Sequence, residues 1–194
     1  MIQQVCVYCA SSTKIAPKYF QAAAELAEIF VQAGITVVFG GGKNGLMGQL
    51  ADKVIEKGGR IIGIMPNFMK EVELAHKGVD EIHFVADMHE RKKRFLDGTD
   101  ALVALPGGCG TLEELLEALT LKRLGLFVKP IVILNQDGFY DPLIEMLNRC
   151  VEEHFMGAKH LEMWQVVETP GEVLDAINNS PDWDESALNF AAVK

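Results

Sequence analysis

Short apolar runs alternate with longer amphipathic stretches along the whole chain. Residues 5–9, 35–39, 60–65, 101–105 and 130–134 are apolar runs of strand length, rich in valine, isoleucine and leucine. Such runs suit strands buried on both faces. Between them, apolar positions recur at helical spacing. Pro17 fits the first turn of a helix running to about residue 32, which Gly34 closes. A second helix covers 46–57 and ends at Gly58 and Gly59. Pro66 stops the third strand, and the pattern blurs over 67–80. A short strand at 82–86 and a charged helix at 88–96 come next. The strand at 101–105 leads through Pro106–Gly110 into a helix from Thr111 to about residue 124. Asp141 as N-cap and Pro142 open a helix to about residue 154. A last strand at 163–167 and a short helix from Pro170 follow, and residues 178–194 read as a loose tail or partner-facing arm.

Strand–helix alternation with continuous apolar strands predicts an α/β, doubly wound, mainly parallel sheet with helices on both faces. Crossovers are expected to be right-handed. Ligands in such sheets bind beyond the carboxyl ends of the strands, where strand order reverses. The loops to watch are therefore 10–13, 40–45 and 106–110. The chain has 194 residues, fitting a single domain, and shows no internal repeat or linker.

Composition narrows the function classes. Hydrophobic residues make up 49% and mean hydropathy is +0.14, enough for a sizeable core and against disorder. A net charge of −9 disfavours general nucleic-acid binding. No apolar run reaches the roughly 18 residues of a membrane span. The start has no basic region followed by an apolar segment, so a cytoplasmic protein with reduced thiols is expected. The four cysteines are Cys6, Cys9, Cys109 and Cys150. Cys6 and Cys9 have metal-pair spacing but no second pair, and they fall on a strand. They read as buried thiols in preference to a redox or metal site. His76, His83, His154 and His160 show no ligand spacing, and no metal is expected.

Three stretches carry candidate chemistry. Gly40, Gly42 and Gly45 have dinucleotide-fingerprint spacing, but no carboxylate stands about 20 residues on, and the loop follows the second strand. Lys43 is followed by Asn44, so it is not a Walker loop either. Gly107, Gly108, Cys109, Gly110 and Thr111 form a second glycine loop, placing backbone N–H groups and a positive helix end at one point, suited to a phosphate. Two such loops on one sheet suggest a mononucleotide or sugar phosphate across the strand ends. Thr111 and Glu114 also have capping-box spacing. Glu114 thus has two competing roles: bonding back to its own helix start, or facing the ligand as an acid/base group. Met88 to Arg94 concentrates four of the 18 basic residues. It is either a solvated helix face or a patch that focuses an anionic substrate.

The set Gly40-Gly41-Gly42 with Gly45-Leu46-Met47-Gly48, then Met88-His89 with Arg91-Lys92, then Pro106-Gly107-Gly108 with Gly110-Thr111 and Glu114, resembles the LOG family, the cytokinin riboside 5′-monophosphate phosphoribohydrolases. The opening run Cys6 to Ser12 is also similar, with Ala10 where glycine is common, and the resemblance covers about residues 3–155. It implies a Rossmann-like fold and hydrolysis of the N-glycosidic bond of AMP or an N6-substituted AMP, giving base and ribose 5-phosphate, with no cofactor. It implies Arg91 and Glu114 as the catalytic pair. Nucleotide contacts carried over are Lys92, Gly108, Cys109, Gly110, Thr111, Thr120 and Glu73, with Ser12, Gly41, Gly42, Met88 and Gly107 completing the set. Family members act as dimers or larger assemblies, so a homodimer is expected, with no nucleic-acid or membrane partner. The competing reading is a carrier of the same fold that holds a nucleotide or molybdenum-cofactor-type ligand without cleaving it. Lysine decarboxylase, a label given to similar sequences, needs a lysine placed for pyridoxal phosphate, and none stands out.

Overall fold

The structure is a computed structural model and describes residues 1–71 and 74–191, with the side chain of residue 71 also left aside. Among these described residues, seven parallel strands form one sheet in the order β4-β3-β2-β1-β5-β6-β7. They are β1 (Gln4–Tyr8), β2 (Thr36–Phe39), β3 (Ile61–Pro66), β4 (Glu81–Val85), β5 (Ala101–Ala104), β6 (Ile131–Leu134) and β7 (Gln165–Val167). The helices are α1 (Pro17–Gln32), α2 (Gly45–Glu56), α3 (Met88–Leu96), α4 (Cys109–Arg123), α5 (Asp141–Glu152) and α6 (Val173–Asn178). The five central strands are apolar on both sides because both sheet faces are covered. Val5, Val7, Val37, Phe39, Val103 and Val132 turn towards the core under α1, α2 and α6. Cys6, Tyr8, Val38, Leu102, Ala104 and Ile133 turn towards the core that includes Phe95, Leu115 and Leu147 of α3, α4 and α5.

The sheet winds one way from β1 to β4 and the other from β1 through β5 to β7. The order therefore reverses between β1 and β5, and a crevice opens beyond their carboxyl ends. Register brings the two ends level: Tyr8 pairs with Ala104, and the Leu105 N–H donates to the Tyr8 carbonyl at 2.9 Å.

Three local expectations are corrected. First, α4 opens at Cys109 with Gly108 as N-cap, two residues before Thr111. Glycine at 108 adopts the extended cap conformation (φ −90°, ψ −156°), so Thr111 lies within the first turn and cannot cap it. Second, Asp141 is the first residue of α5 and Tyr140 the cap; the Asp141 carboxylate instead accepts from the Asn135 side chain at 2.7 Å. Third, the stretch after residue 178 is anchored to the domain at three buried positions, Trp183, Ala187 and Ala191, between exposed residues. Trp183 is buried and donates its indole N–H to the Lys122 carbonyl at 2.7 Å, while Ala187 and Ala191 are also buried. This arm covers the C-terminal end of α4, where Gly125 leaves room for the Glu185 backbone. Among the described residues no helix is long and apolar enough to cross a membrane.

Candidate active site

The crevice at the β1–β5 switch holds a cavity of about 290 Å³. It is lined by the residues after β1 (Cys9, Ala10, Ser11, Ser12), by Gly40 after β2, and by Gly108–Thr111 at the start of α4. Arg91 and Phe95 of α3, Met69, Met47 and Glu114 close its floor and side.

Glu114 is the residue the sequence left undecided. With the helix opening at Cys109, Glu114 sits in the second turn and points into the cavity, 9% exposed. Its Oε1 lies 3.6 Å from Nη1 of Arg91. Burial pushes its pKa up to about 7, against the pull of Arg91 in the opposite direction. A buried carboxyl poised near neutrality in a cleft has the character of a catalytic acid/base group.

Arg91 is 6% exposed and held on all sides. Its Nε donates to the Ile64 carbonyl at 3.1 Å and its Nη2 to the Gly40 carbonyl at 3.3 Å. Nη1 meets the sulfurs of Met69 and Met88 at 3.8 and 3.9 Å, and Phe95 lies flat enough for its ring centre to be 5.0 Å from the guanidinium carbon. Apart from the methionines and Glu114, these anchors are backbone groups or a ring, which confine the guanidinium. It comes from α3, whose start is fixed by Asp87 accepting from the Glu90 N–H at 2.8 Å and by Glu90 accepting from the Ala86 N–H at 2.7 Å. The basic run therefore splits: Arg91 turns inward, Lys92 pairs with Glu113 and Glu117 of α4 at 2.6 and 2.5 Å, and Arg94 meets His83.

The glycine loop supplies the third component. The first backbone bond of α4 runs from the Leu112 N–H to the Gly108 carbonyl at 3.0 Å. The N–H groups of Cys109, Gly110 and Thr111 thus lack helical acceptors and stand at the positive end of the helix. Gly108 and Gly110 have open space where a side chain would be, and Gly107 is needed because a Cβ there would collide with the Thr111 side chain. This is the geometry of a phosphate cradle.

The residues carried over from the sequence divide accordingly. Arg91, Glu114, Ser12, Gly108, Cys109, Gly110 and Thr111 share the cavity. Gly107 shapes it from behind, and Met88 touches Arg91. Gly41 packs on the β3 backbone at φ 80°, and Gly42 bridges to Ala75, so these two build the wall without lining it. Lys92 ties α3 to α4. Thr120 lies on the far side of α4, in a groove with Leu116, Leu119, Arg123, Leu147, Met156 and Met163. Glu73 falls outside the described residues. Tyr8, Cys9, Phe95 and Met69 were not singled out as site residues; Phe95 was detectable as the large apolar residue one turn after Arg91 on a charged helix. Among the described residues no group of three or more His, Cys, Asp or Glu is placed to hold a metal.

Comparison with known proteins supplies the family. Residues 47–177 match the protein family described as "Possible lysine decarboxylase". A probable cytokinin riboside 5′-monophosphate phosphoribohydrolase of Oryza sativa subsp. japonica is 39% identical over 191 residues, covering 97% of this chain and 90% of its own. A cytokinin riboside 5′-monophosphate phosphoribohydrolase of Arabidopsis thaliana is 43% identical over 154 residues, covering 79% of this chain and 72% of its own. Among solved structures, the molybdenum cofactor binding protein of Rippkaea orientalis superposes with a TM-score of 0.69 at 20% identity, over 92% of this chain and 96% of that one, a likeness of fold. The three motifs that line the switch-point crevice and these two-fifths identities over most of the length together place the chain in the LOG family of cytokinin riboside 5′-monophosphate phosphoribohydrolases.

Proposed function

We propose that the chain hydrolyses the N-glycosidic bond of a nucleoside 5′-monophosphate, AMP or an N6-substituted AMP, releasing the free base and ribose 5-phosphate. The observation that carries this reading is the Arg91–Glu114 pair in one cavity with the N-terminus of α4. The cradle at Cys109–Thr111 takes the 5′-phosphate. That sets the ribose over Glu114. Breaking the C1′–N bond builds positive charge on the sugar ring, and the Glu114 carboxylate stabilises that charge or takes a proton from the attacking water. Arg91 orients the carboxylate and the substrate's ribose or phosphate. A positioned acid/base group is worth about 10²–10⁴-fold in rate. Glu114→Gln is expected to lose adenine release by that factor, read by chromatography of the products, while still binding AMP. Turnover at the parent rate in that variant would end the assignment. A parent that binds AMP and releases no adenine would instead favour the carrier reading.

Decarboxylation of lysine does not fit the residues. Pyridoxal chemistry needs a free lysine amine for its Schiff base. Among the described cavity-lining residues none is a lysine, and the ammonium of Lys92 is taken up by two carboxylates.

The chain further acts as a homodimer in this reading, joined over the outer face of α4. Leu115, Ala118 and Leu119 of α4 face the core, yet Leu116 is exposed beside the apolar groove that holds Thr120. Thr120 then meets a second copy rather than its own cavity.

A further inference from the structure

Behind the glycine loop stands a buried phenol that takes no part in the chemistry described above. Tyr140 is 1% exposed, and its hydroxyl donates to the Leu105 carbonyl at 2.7 Å. Leu105 is itself fully buried and is the residue where β5 gives way to the loop. Pro106 has no N–H, and Gly107 and Gly108 have no side chains, so the Leu105 peptide is the loop's natural point of anchorage. Burial, and secondarily the neighbouring Cys9 thiol, hold the Tyr140 phenol well above the usual tyrosine range, so it remains a donor.

Tyr140 is in turn fixed from the far end of the sheet. The Asn135 N–H donates to the Val167 carbonyl of β7 at 2.7 Å. The Asn135 side chain accepts from the Tyr140 N–H at 2.7 Å and donates to Asp141 at 2.7 Å. The intervening turn needs Asp137 at φ 52° and Gly138 at φ 72°. The Tyr140 ring meets that of Phe139 edge-on, with centroids 5.0 Å apart. A line of short hydrogen bonds thus runs from β7 through Asn135 and Tyr140 to Leu105, the residue that leads into the glycine loop.

We propose that Tyr140 is a positioning residue for the phosphate end of the substrate, fixing the Leu105 peptide and through it the placement of the Cys109–Thr111 N–H groups. This rests on the reading of that loop as the phosphate site. A cradle that grips the phosphate alike before and during bond cleavage acts on binding more than on the chemical step.

Tyr140→Phe keeps the ring, removes the donor and leaves a buried carbonyl unpaired. The variant is expected to raise KM for the nucleotide about tenfold with kcat within about threefold of the parent. Calorimetry on ribose 5-phosphate and on adenine gives the readout that a merely structural role would not move: affinity for ribose 5-phosphate falls about tenfold and that for adenine does not. Asn135→Ala, which releases the turn carrying Tyr140, shifts the same constants in the same direction and serves if the first variant folds poorly. Unchanged ribose 5-phosphate affinity in a folded Tyr140→Phe overturns the role of Tyr140. Equal weakening for adenine also overturns it, since the loss would then not be confined to the phosphate. A parent that fails to bind ribose 5-phosphate overturns the cradle, and a parent that binds it without cleaving nucleotides overturns only the hydrolase reading.

Discussion

At the scale of single residues, Glu114, the acid/base group of the proposed reaction, carries a standing cost to stability. Its carboxyl titrates near 7 in the folded chain, against 4.5 in the ordinary state. Between those values the folded protein holds more protons than the unfolded chain, so stability falls as pH rises through that window and the penalty is complete above it. The shift corresponds to about 3 kcal/mol. Glu114→Gln has no charge to bury, so it is expected to be more stable than the parent by up to that amount at pH 8 and by much less at pH 5. Denaturant melts at the two values test this, and an equal difference at both would contradict it. Activity runs the other way: with the carboxylate as working form, kcat/KM of the parent rises with pH and levels off above about 7. The orientation of this side chain was not legible in the sequence. Thr111 and Glu114 have the spacing of a capping box, and what defeats it is glycine at 108, which starts the helix two residues early and leaves Thr111 no capping role.

At the scale of elements, strands and helices followed closely from the apolar pattern, because strands buried on both faces leave unbroken apolar runs and α3 announces itself by charge. The stretch after β3 did not. There a 3₁₀ turn over Asn67–Glu71 and a bridge from Gly42 to Ala75 carry Met69 to the cavity wall, and neither has a sequence period. The anchors of the arm after α6 have no sequence period for a related reason: Trp183 and Phe190 pack edge-on, 5.5 Å between centroids, around Lys159, too irregularly spaced to show as a face. The loop after β2 gives an element-level prediction. A Cβ on Gly40 would lie 2.6 Å from Nη2 of Arg91 and 2.7 Å from the Met47 sulfur. Gly40→Ala is therefore expected to push the guanidinium out of register with Glu114. A displacement of that size costs about 10²-fold in rate. The fold tolerates it better than the reaction does, because the Met47 side chain can turn aside. Melting temperature near that of the parent with kcat strongly reduced is the expected pair of results, and undiminished kcat would show that Arg91 needs no such confinement.

At the scale of the whole molecule, the reversal of strand order explains why three motifs far apart in the chain make one site: β1, β2 and β5 end side by side, and α3 and α4 start above them. The same arrangement leaves the outer side of α4 uncovered. Its core-facing row is satisfied by Leu115, Ala118 and Leu119, yet Leu116 is 41% exposed, and Met146 on α5 and Phe155 just after it are 59% and 76% exposed. In the proposed homodimer this second apolar side of α4 is covered. A stable dimer buries about 800 Å² per partner, and each fully covered leucine or methionine contributes about 1.5–3 kcal/mol. The parent is expected to sediment as a dimer, and Leu116→Glu combined with Met146→Glu as a monomer, since each charge would otherwise have to be buried unpaired. Neither side chain lines the Arg91–Glu114 cavity. The monomeric variant therefore keeps its fold by circular dichroism, and any fall in its affinity for nucleotide measures what the second copy, through residues such as Thr120, adds to the site. A parent that sediments as a monomer at micromolar concentration, with full activity, would remove the dimer from the account and leave each cavity complete within its own chain.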